Sequence, residues 1–230
     1  MPWTGSSAEI HPFYWIDPLE RDAPRQIDAA VEHGVAGFKV ICDHYSPGDA
    51  RALRVFRRIA AKRKPVLFHS GILWDGKDSS RYNRPALFEA LLDVEGLVFS
   101  LAHISWPWCD ELVAVYGKFL NAVERSSGSA PEMYVDLTPG TPPIYRKDAL
   151  IPLINVGYDV ENNLVFGTDC ETVSYNSAWA REWIERDASI LDGLGQGQEK
   201  REKILSRNLE RFLGLAGEKV ARHGPRPAQS

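Results

Sequence analysis

Residues 65–69 read PVLFH, a short apolar run that begins at a proline and ends at a histidine. Four other apolar runs carry one polar residue at or near their ends: Lys39, His103, Asp136 and Asp169. The steps from Lys39 through His69 to Asp169 are 30, 34, 33 and 33 residues. A β-strand, its return helix and the connecting loops take roughly 30 residues. The spacing therefore predicts a series of βα units, whose helices include residues 85–94 and, near the C-terminus, residues 199–213.

Six apolar runs of this kind are present, ending near Asp17, Ile41, His69, His103, Asp136 and Asp169. The runs are continuously apolar, which is typical of parallel strands covered on both faces. A closed barrel of eight such units requires roughly 250 residues, more than this chain offers. We therefore predict an α/β fold with a TIM-barrel-like parallel sheet, an incomplete barrel of about six βα units. The carboxyl ends of its strands would meet at one edge, where such folds build active sites.

The composition indicates one globular domain, which we place at residues 1–213, followed by a polar tail at 214–230. The chain has 44% hydrophobic and 25% charged residues and a net charge of −4. Because no basic patch and no apolar run of about 18 residues occur, we expect neither nucleic acid nor a membrane as a partner. The first residues lack a signal-peptide pattern, and three widely spaced cysteines fit reduced thiols. These features favour a cytoplasmic protein.

The residue types at the strand ends favour metal-assisted chemistry. Imidazole and carboxylate groups are common ligands of zinc, and a catalytic site needs about three of them and an open position. His69, His103 and Asp169 are the candidate ligands. His103 could instead act as a general acid or base, and a metal would lower the pKa of its bound water to near neutral.

Four further residues are candidate substrate contacts. Lys39 could bind an anionic group, or bridge metals if carboxylated, and Asp136 could orient a proton-transfer group. A structural ion pair is the alternative explanation for both. Trp74 and Trp106 lie in loops after strands, where they could form the wall of a pocket for a planar substrate or simply pack within the loops.

In these motifs the chain resembles the amidohydrolase-related family of metal-dependent TIM-barrel hydrolases and decarboxylases. The matching stretches are GVAGFK at 34–39, PVLFHSG at 65–71, LAH at 101–103, LVFGTD at 164–169 and ILSRNLERFL at 204–213. They occur in the family's order and extend from about residue 15 to residue 215. Together these motifs are more specific than any one of them alone.

The resemblance implies a mononuclear metal site, commonly zinc, and a small carboxylated or aromatic substrate. By this resemblance His69 is similar to the fifth-strand metal ligand and Asp169 to the eighth-strand aspartate, which contacts the metal and the attacking water. His103 is similar to the sixth-strand histidine, which is an acid or base in some members and a metal ligand in others. In this family the residue at the position of Lys39 is usually not a ligand.

One departure concerns the first strand of the family, which normally ends in a His-x-His pair that supplies two metal ligands. No His-x-His occurs in this chain, and the strand count agrees that strands one and two are absent. We therefore expect either a chain that starts inside a longer gene product or a degenerate relative, with weakened metal binding. The leading hypothesis is a metal-dependent hydrolase that acts on a small-molecule substrate, and a homo-oligomer is its expected form. The alternatives are a non-oxidative decarboxylase and a non-catalytic barrel with a binding role.

Overall fold

The computed structural model describes residues 10–126 and 129–215, so most of the predicted polar tail lies outside the described residues. Its centre is one sheet of six parallel strands in sequential order. The strands are β1 Phe13–Trp15, β2 Gly37–Val40, β3 Val66–Phe68, β4 Val98–Leu101, β5 Glu132–Asp136 and β6 Leu164–Val165. Within the described residues the sheet does not close, because β1 and β6 do not pair. The predicted incomplete barrel of six βα units is therefore confirmed.

The helices alternate with the strands as the spacing predicts. They are α1 Ala23–Glu32, α2 Ala50–Ala61, α3 Cys109–Arg125, α4 Arg146–Asn155, α5 Ser177–Gly193, α6 Gln198–Glu202 and α7 Asn208–Phe212. The amino end of α2 is capped by the Asp49 carboxylate, which accepts a hydrogen bond from the Arg51 amide at 2.7 Å. No helix in the described ranges is long and apolar enough to cross a bilayer.

Two helical segments differ from their predicted form. The segment Pro85–Asp93 is a 3-10 helix, whereas the sequence pattern predicts an α-helix at 85–94. Its buried residues Pro85, Phe88 and Leu91 are three apart, which suits a helix of three residues per turn. The helix predicted at 199–213 is interrupted by a π-helical turn at Lys203–Arg207.

The main core lies between the sheet and its helices, and Phe68 stands near its centre. The ring of Phe68 makes edge contacts with Phe56 at 5.1 Å, Phe88 at 5.3 Å and Phe99 at 6.1 Å between centroids. Edge-to-face pairs at such distances stabilise a packed core and fix its geometry. Since His69 follows Phe68 directly, this cluster gives that histidine a rigid base.

The C-terminal segment covers the free edge of β6. The Phe166 amide donates to the Ile204 carbonyl at 3.0 Å, and the Asn208 side-chain amide donates to the Leu164 carbonyl at 2.7 Å. The first of these bonds engages a carbonyl inside the π-helical turn. On the opposite face of the sheet from the main core, Phe212 packs against Tyr134 at 5.1 Å.

Candidate active site

The five predicted polar residues lie at the carboxyl edge of the sheet, although not all of them end a strand. Lys39 is the third of four residues in β2, His69 follows β3 directly, and Asp136 is the last residue of β5. His103 lies two residues beyond β4 and Asp169 four beyond β6. Both adopt positive φ angles, 64° for His103 and 54° for Asp169, so the backbone leaves the extended conformation at these residues.

The structure brings these residues into one electrostatic group. The ring centroids of His69 and His103 are 5.0 Å apart. The Lys39 ammonium interacts with the carboxylates of Asp136 and Asp169 and with His69. Asp169 in turn interacts with His103. Side chains that are up to 130 residues apart in the sequence therefore share one site.

His69 is held in its neutral form with one defined tautomer. Its side chain is buried, and Nε2 lies 3.2 Å from the carbonyl oxygen of Ile72. Because a carbonyl only accepts, Nε2 carries the proton and the lone pair is on Nδ1. Burial, together with the nearby His103 and Lys39, lowers the pKa of His69 to about 3.

His103 is placed by an unusual backbone turn. Residues 103, 104 and 105 have consecutive φ angles of 64°, 49° and 52°, a left-handed run that L-residues rarely adopt. The Ser70 hydroxyl donates to the Ala102 carbonyl at 2.7 Å and lies 2.7 Å from the Ser105 hydroxyl, which ties the turn to the end of β3. On the other side, Nδ1 of His103 is 2.9 Å from Oγ1 of Thr138. The imidazole is therefore fixed from two neighbouring strands.

Lys39 is a desolvated cation beside two carboxylates. Burial lowers the pKa of Lys39, and the negative charges of Asp136 and Asp169 oppose this. Desolvation raises the pKa of Asp169, and the charges on His103 and Lys39 oppose the rise. Within the described residues Lys39 has no carboxylate oxygen within 4.0 Å. A direct structural ion pair, the alternative explanation from the sequence, is therefore not formed here.

The two predicted tryptophans have different surroundings. Trp74 is 79% exposed on the loop that follows β3. Trp106 is half-buried and stacks on Tyr145 with ring centroids 6.1 Å apart and an interplanar angle of 25°. Packing within the loops thus accounts for the position of Trp106. A contact of either ring with substrate stays a prediction.

The donor set fits a metal in residue type but not as a complete site. Across 10–126 and 129–215, no group of three or more His, Cys, Asp or Glu side chains is arranged to hold a metal ion. A catalytic metal needs about three protein ligands. We therefore derive no reaction step through a metal, and the roles of His69, His103 and Asp169 as ligands stay predictions.

No role was predicted from the sequence for the stiff loop that follows Asp136. The Thr138 amide donates to a carboxylate oxygen of Asp136 at 2.5 Å, while the Thr138 side chain meets His103. Gly140 lies so close to His103 that a Cβ on it would be 2.5 Å from the histidine Cβ. The signal available in the sequence was the stiff stretch TPGTPP at 138–143, immediately after a candidate site residue.

A buried ion pair between Arg146 and Asp187 holds the same loop in place. Arg146 is fully buried, donates to the Leu137 carbonyl at 2.5 Å and pairs with Asp187 through two bonds of 2.8 and 2.5 Å. The Arg146 guanidinium also lies over the Trp183 ring, 5.1 Å from its centroid. The loop after β5 is therefore anchored to α5.

Comparison with known proteins decides the family. The amidohydrolase family model matches residues 10–215, most of the chain. This chain belongs to the amidohydrolase family. The resemblance seen in the motifs is thereby confirmed. No curated protein sequence matches the chain.

Two solved structures are similar to this one. A 2,6-dihydroxybenzoate decarboxylase, complexed with 2,6-dihydroxybenzoate, superposes with a TM-score of 0.58 and 13% identity, over 90% of this chain and 71% of that one. A dihydroorotase from Campylobacter jejuni gives 0.56 and 14%, over 89% of this chain and 65% of that one. At these identities the likeness supports the fold alone.

Proposed function

We propose that this member of the amidohydrolase family hydrolyses a small carboxylated organic substrate at the carboxyl edge of its sheet. The observation that carries the proposal is Lys39, a desolvated ammonium group close to His69 and without a carboxylate in direct contact. A cation in that position gains from an anionic group delivered by a ligand, because Asp136 and Asp169 offset its burial only from a distance. A substrate carboxylate meets this need.

The neighbouring groups can move the protons that hydrolysis requires. An attacking water forms a bond to the scissile carbonyl carbon and passes its proton to the Asp169 carboxylate, whose raised pKa favours acceptance. The leaving nitrogen or oxygen takes the Nε2 proton of the His103 imidazolium as its bond to carbon breaks, which leaves a neutral imidazole. His69, neutral and fixed, contributes a lone pair at Nδ1 rather than a proton. A divalent metal, zinc by the family resemblance, stays part of the prediction and requires ligands beyond this cluster.

A substrate panel with two readouts tests the reaction. The purified full chain is incubated with carboxylated cyclic amides, lactones and hydroxybenzoates, with and without added Zn²⁺. Proton release and product analysis report hydrolysis, and trapped carbon dioxide reports decarboxylation. Hydrolysis of at least one carboxylated compound is expected. Carbon dioxide release would replace the proposal with decarboxylation, and binding without turnover would favour a non-catalytic role.

The role of Lys39 is tested with a matched lysine control. We expect Lys39→Met to raise KM for a carboxylated substrate by about tenfold or more, the effect of losing one charged contact. The same substitution should leave KM for the neutral methyl ester unchanged. Lys147→Met, at an exposed lysine on α4, should change neither value. Equal losses for the acid and its ester would contradict anion binding by Lys39.

A further inference from the structure

Thr138 and its two glycine neighbours form a support for His103 that the reaction scheme above does not use. Oγ1 of Thr138 is 2.9 Å from Nδ1 of His103, and Gly140 lies directly against the same ring. We propose that Thr138 is a positioning residue that holds the imidazole so that Nε2 faces the substrate. This inference rests on the proposed function, in which His103 transfers a proton.

The first argument concerns the orientation of the ring. Because Nδ1 is engaged by Thr138, a 180° turn of the imidazole would exchange a hydrogen bond for an unmatched contact. Within the described residues Nε2 of His103 has no protein hydrogen-bond partner. The bond to Thr138 therefore determines which nitrogen is left for the reaction.

The second argument concerns the chemistry of a hydroxyl partner. A hydroxyl both donates and accepts, so Thr138 can donate to a bare Nδ1 or accept from Nδ1–H. The hydroxyl can therefore hold Nδ1 in either neutral tautomer of His103. The partner of His69 is a carbonyl, which accepts only and permits one tautomer. Thr138 thus fixes the orientation of the His103 ring without fixing its tautomer.

The third argument is that Thr138 itself is tightly placed. Its amide donates to Asp136 at 2.5 Å, at the very end of β5. On its other side, a Cβ added to Gly167 would lie 2.3 Å from Cγ2 of Thr138. These contacts leave the hydroxyl little freedom to move away from His103, and they explain why small residues occur at 140 and 167.

The test compares Thr138→Val, which keeps the shape and loses the hydroxyl, with Thr138→Ser, which keeps the hydroxyl. Long-range ¹H–¹⁵N spectra of ¹⁵N-histidine-labelled full chain report the ring nitrogens directly, and His103→Gln assigns the His103 signals. We expect Thr138→Val to change the His103 nitrogen shifts and to leave those of His69 in place. We expect Thr138→Ser to resemble the parent protein. Unchanged His103 signals in Thr138→Val would overturn the proposal.

Kinetics give a second, separate readout. With the substrate identified by the panel, we expect Thr138→Val to lower kcat by about tenfold and to leave KM the same. About tenfold is the factor that corresponds to the loss of one ordinary hydrogen bond. A rise in KM with an unchanged kcat would contradict positioning of a proton-transfer group. Failure of every substrate would count against the proposed function, whereas the nitrogen shifts still decide the role of Thr138.

Discussion

The two histidines of the site lie 5.0 Å apart and yet occupy opposite environments. His69 is buried at the end of β3, above the aromatic cluster around Phe68, and its Nε2 faces a backbone carbonyl. His103 is half-buried on a left-handed turn and its Nδ1 faces a hydroxyl. Two side chains of the same type are therefore held differently, and for His69 burial lowers the pKa while the carbonyl partner fixes the tautomer.

The largest expected effect separates the two histidines by function. Replacing His103 with Gln removes the proposed proton-transfer group and should lower kcat by about 10²- to 10⁴-fold, the usual contribution of general acid–base catalysis. Steady-state kinetics on the substrate found by the panel measure this loss. His33→Gln, at an exposed histidine after α1, is the control and should retain full activity. A loss of less than about tenfold would mean that His103 is not the proton-transfer group.

The next largest effect is expected from Arg146, which anchors the loop after β5 that contacts His103. Arg146→Met leaves the Asp187 carboxylate buried without its partner, which typically costs about 3–5 kcal/mol of stability. Denaturant unfolding measures this cost. Because Arg146 also holds the Leu137 carbonyl, we expect the ring signals of His103 to shift in the variant and those of His69 to stay.

Two further results decide whether the buried Arg146–Asp187 pair supports the His103 side of the site. Equal shifts at both histidines would show that the two sides of the site are not supported separately. A double replacement, Arg146→Met with Asp187→Leu, removes both charges and should recover much of the lost stability. If the double variant is no more stable than the single one, the buried pair is not the cause of the loss.

The effect that is smallest near neutral pH is a pH dependence that arises from His69. An unfolded histidine has a pKa near 6.5, whereas burial lowers that of folded His69 to about 3. Between these values the unfolded chain binds the proton and the folded one does not, so stability falls as the pH is lowered through this window. The loss from this residue is at most about 1.4 kcal/mol per pH unit.

Replacing His69 with Gln isolates this contribution. Unfolding curves in the presence of a chelator should show a weaker loss of stability on acidification in the variant than in the parent. Above the unfolded pKa, His69 adds no pH dependence to the stability of the parent. Parallel pH profiles would contradict the low pKa of His69.

The sequence predicted the elements that depend on local pattern and spacing. The steps of about 33 residues located the six βα units and placed Lys39, His69 and Asp136 at or beside the ends of their strands. The spacing of Pro85, Phe88 and Leu91 also carried the signal for a 3-10 helix, although the segment was predicted as an α-helix. Regular patterns of this kind can be recognised in the sequence without knowledge of the tertiary structure.

The sequence did not predict the features that depend on contacts between distant segments. The left-handed turn at His103 is fixed by hydroxyl contacts between Ser70 and Ser105, 35 residues apart. The role of Thr138 follows from that turn, because only the turned backbone brings His103 to it. No periodicity of the sequence predicts such a contact, because it forms only when neighbouring strands are aligned in the folded chain.

The most direct test of this account is the protonation state of His69. We would record the long-range ¹H–¹⁵N spectrum of the ¹⁵N-histidine-labelled chain at about pH 5, where an ordinary histidine with a pKa near 6.5 is mostly charged. The account predicts a neutral His69 ring with its proton on Nε2, assigned by comparison with His69→Gln. A charged His69 ring at this pH, or a neutral ring protonated on Nδ1, would contradict the division of roles between the two histidines.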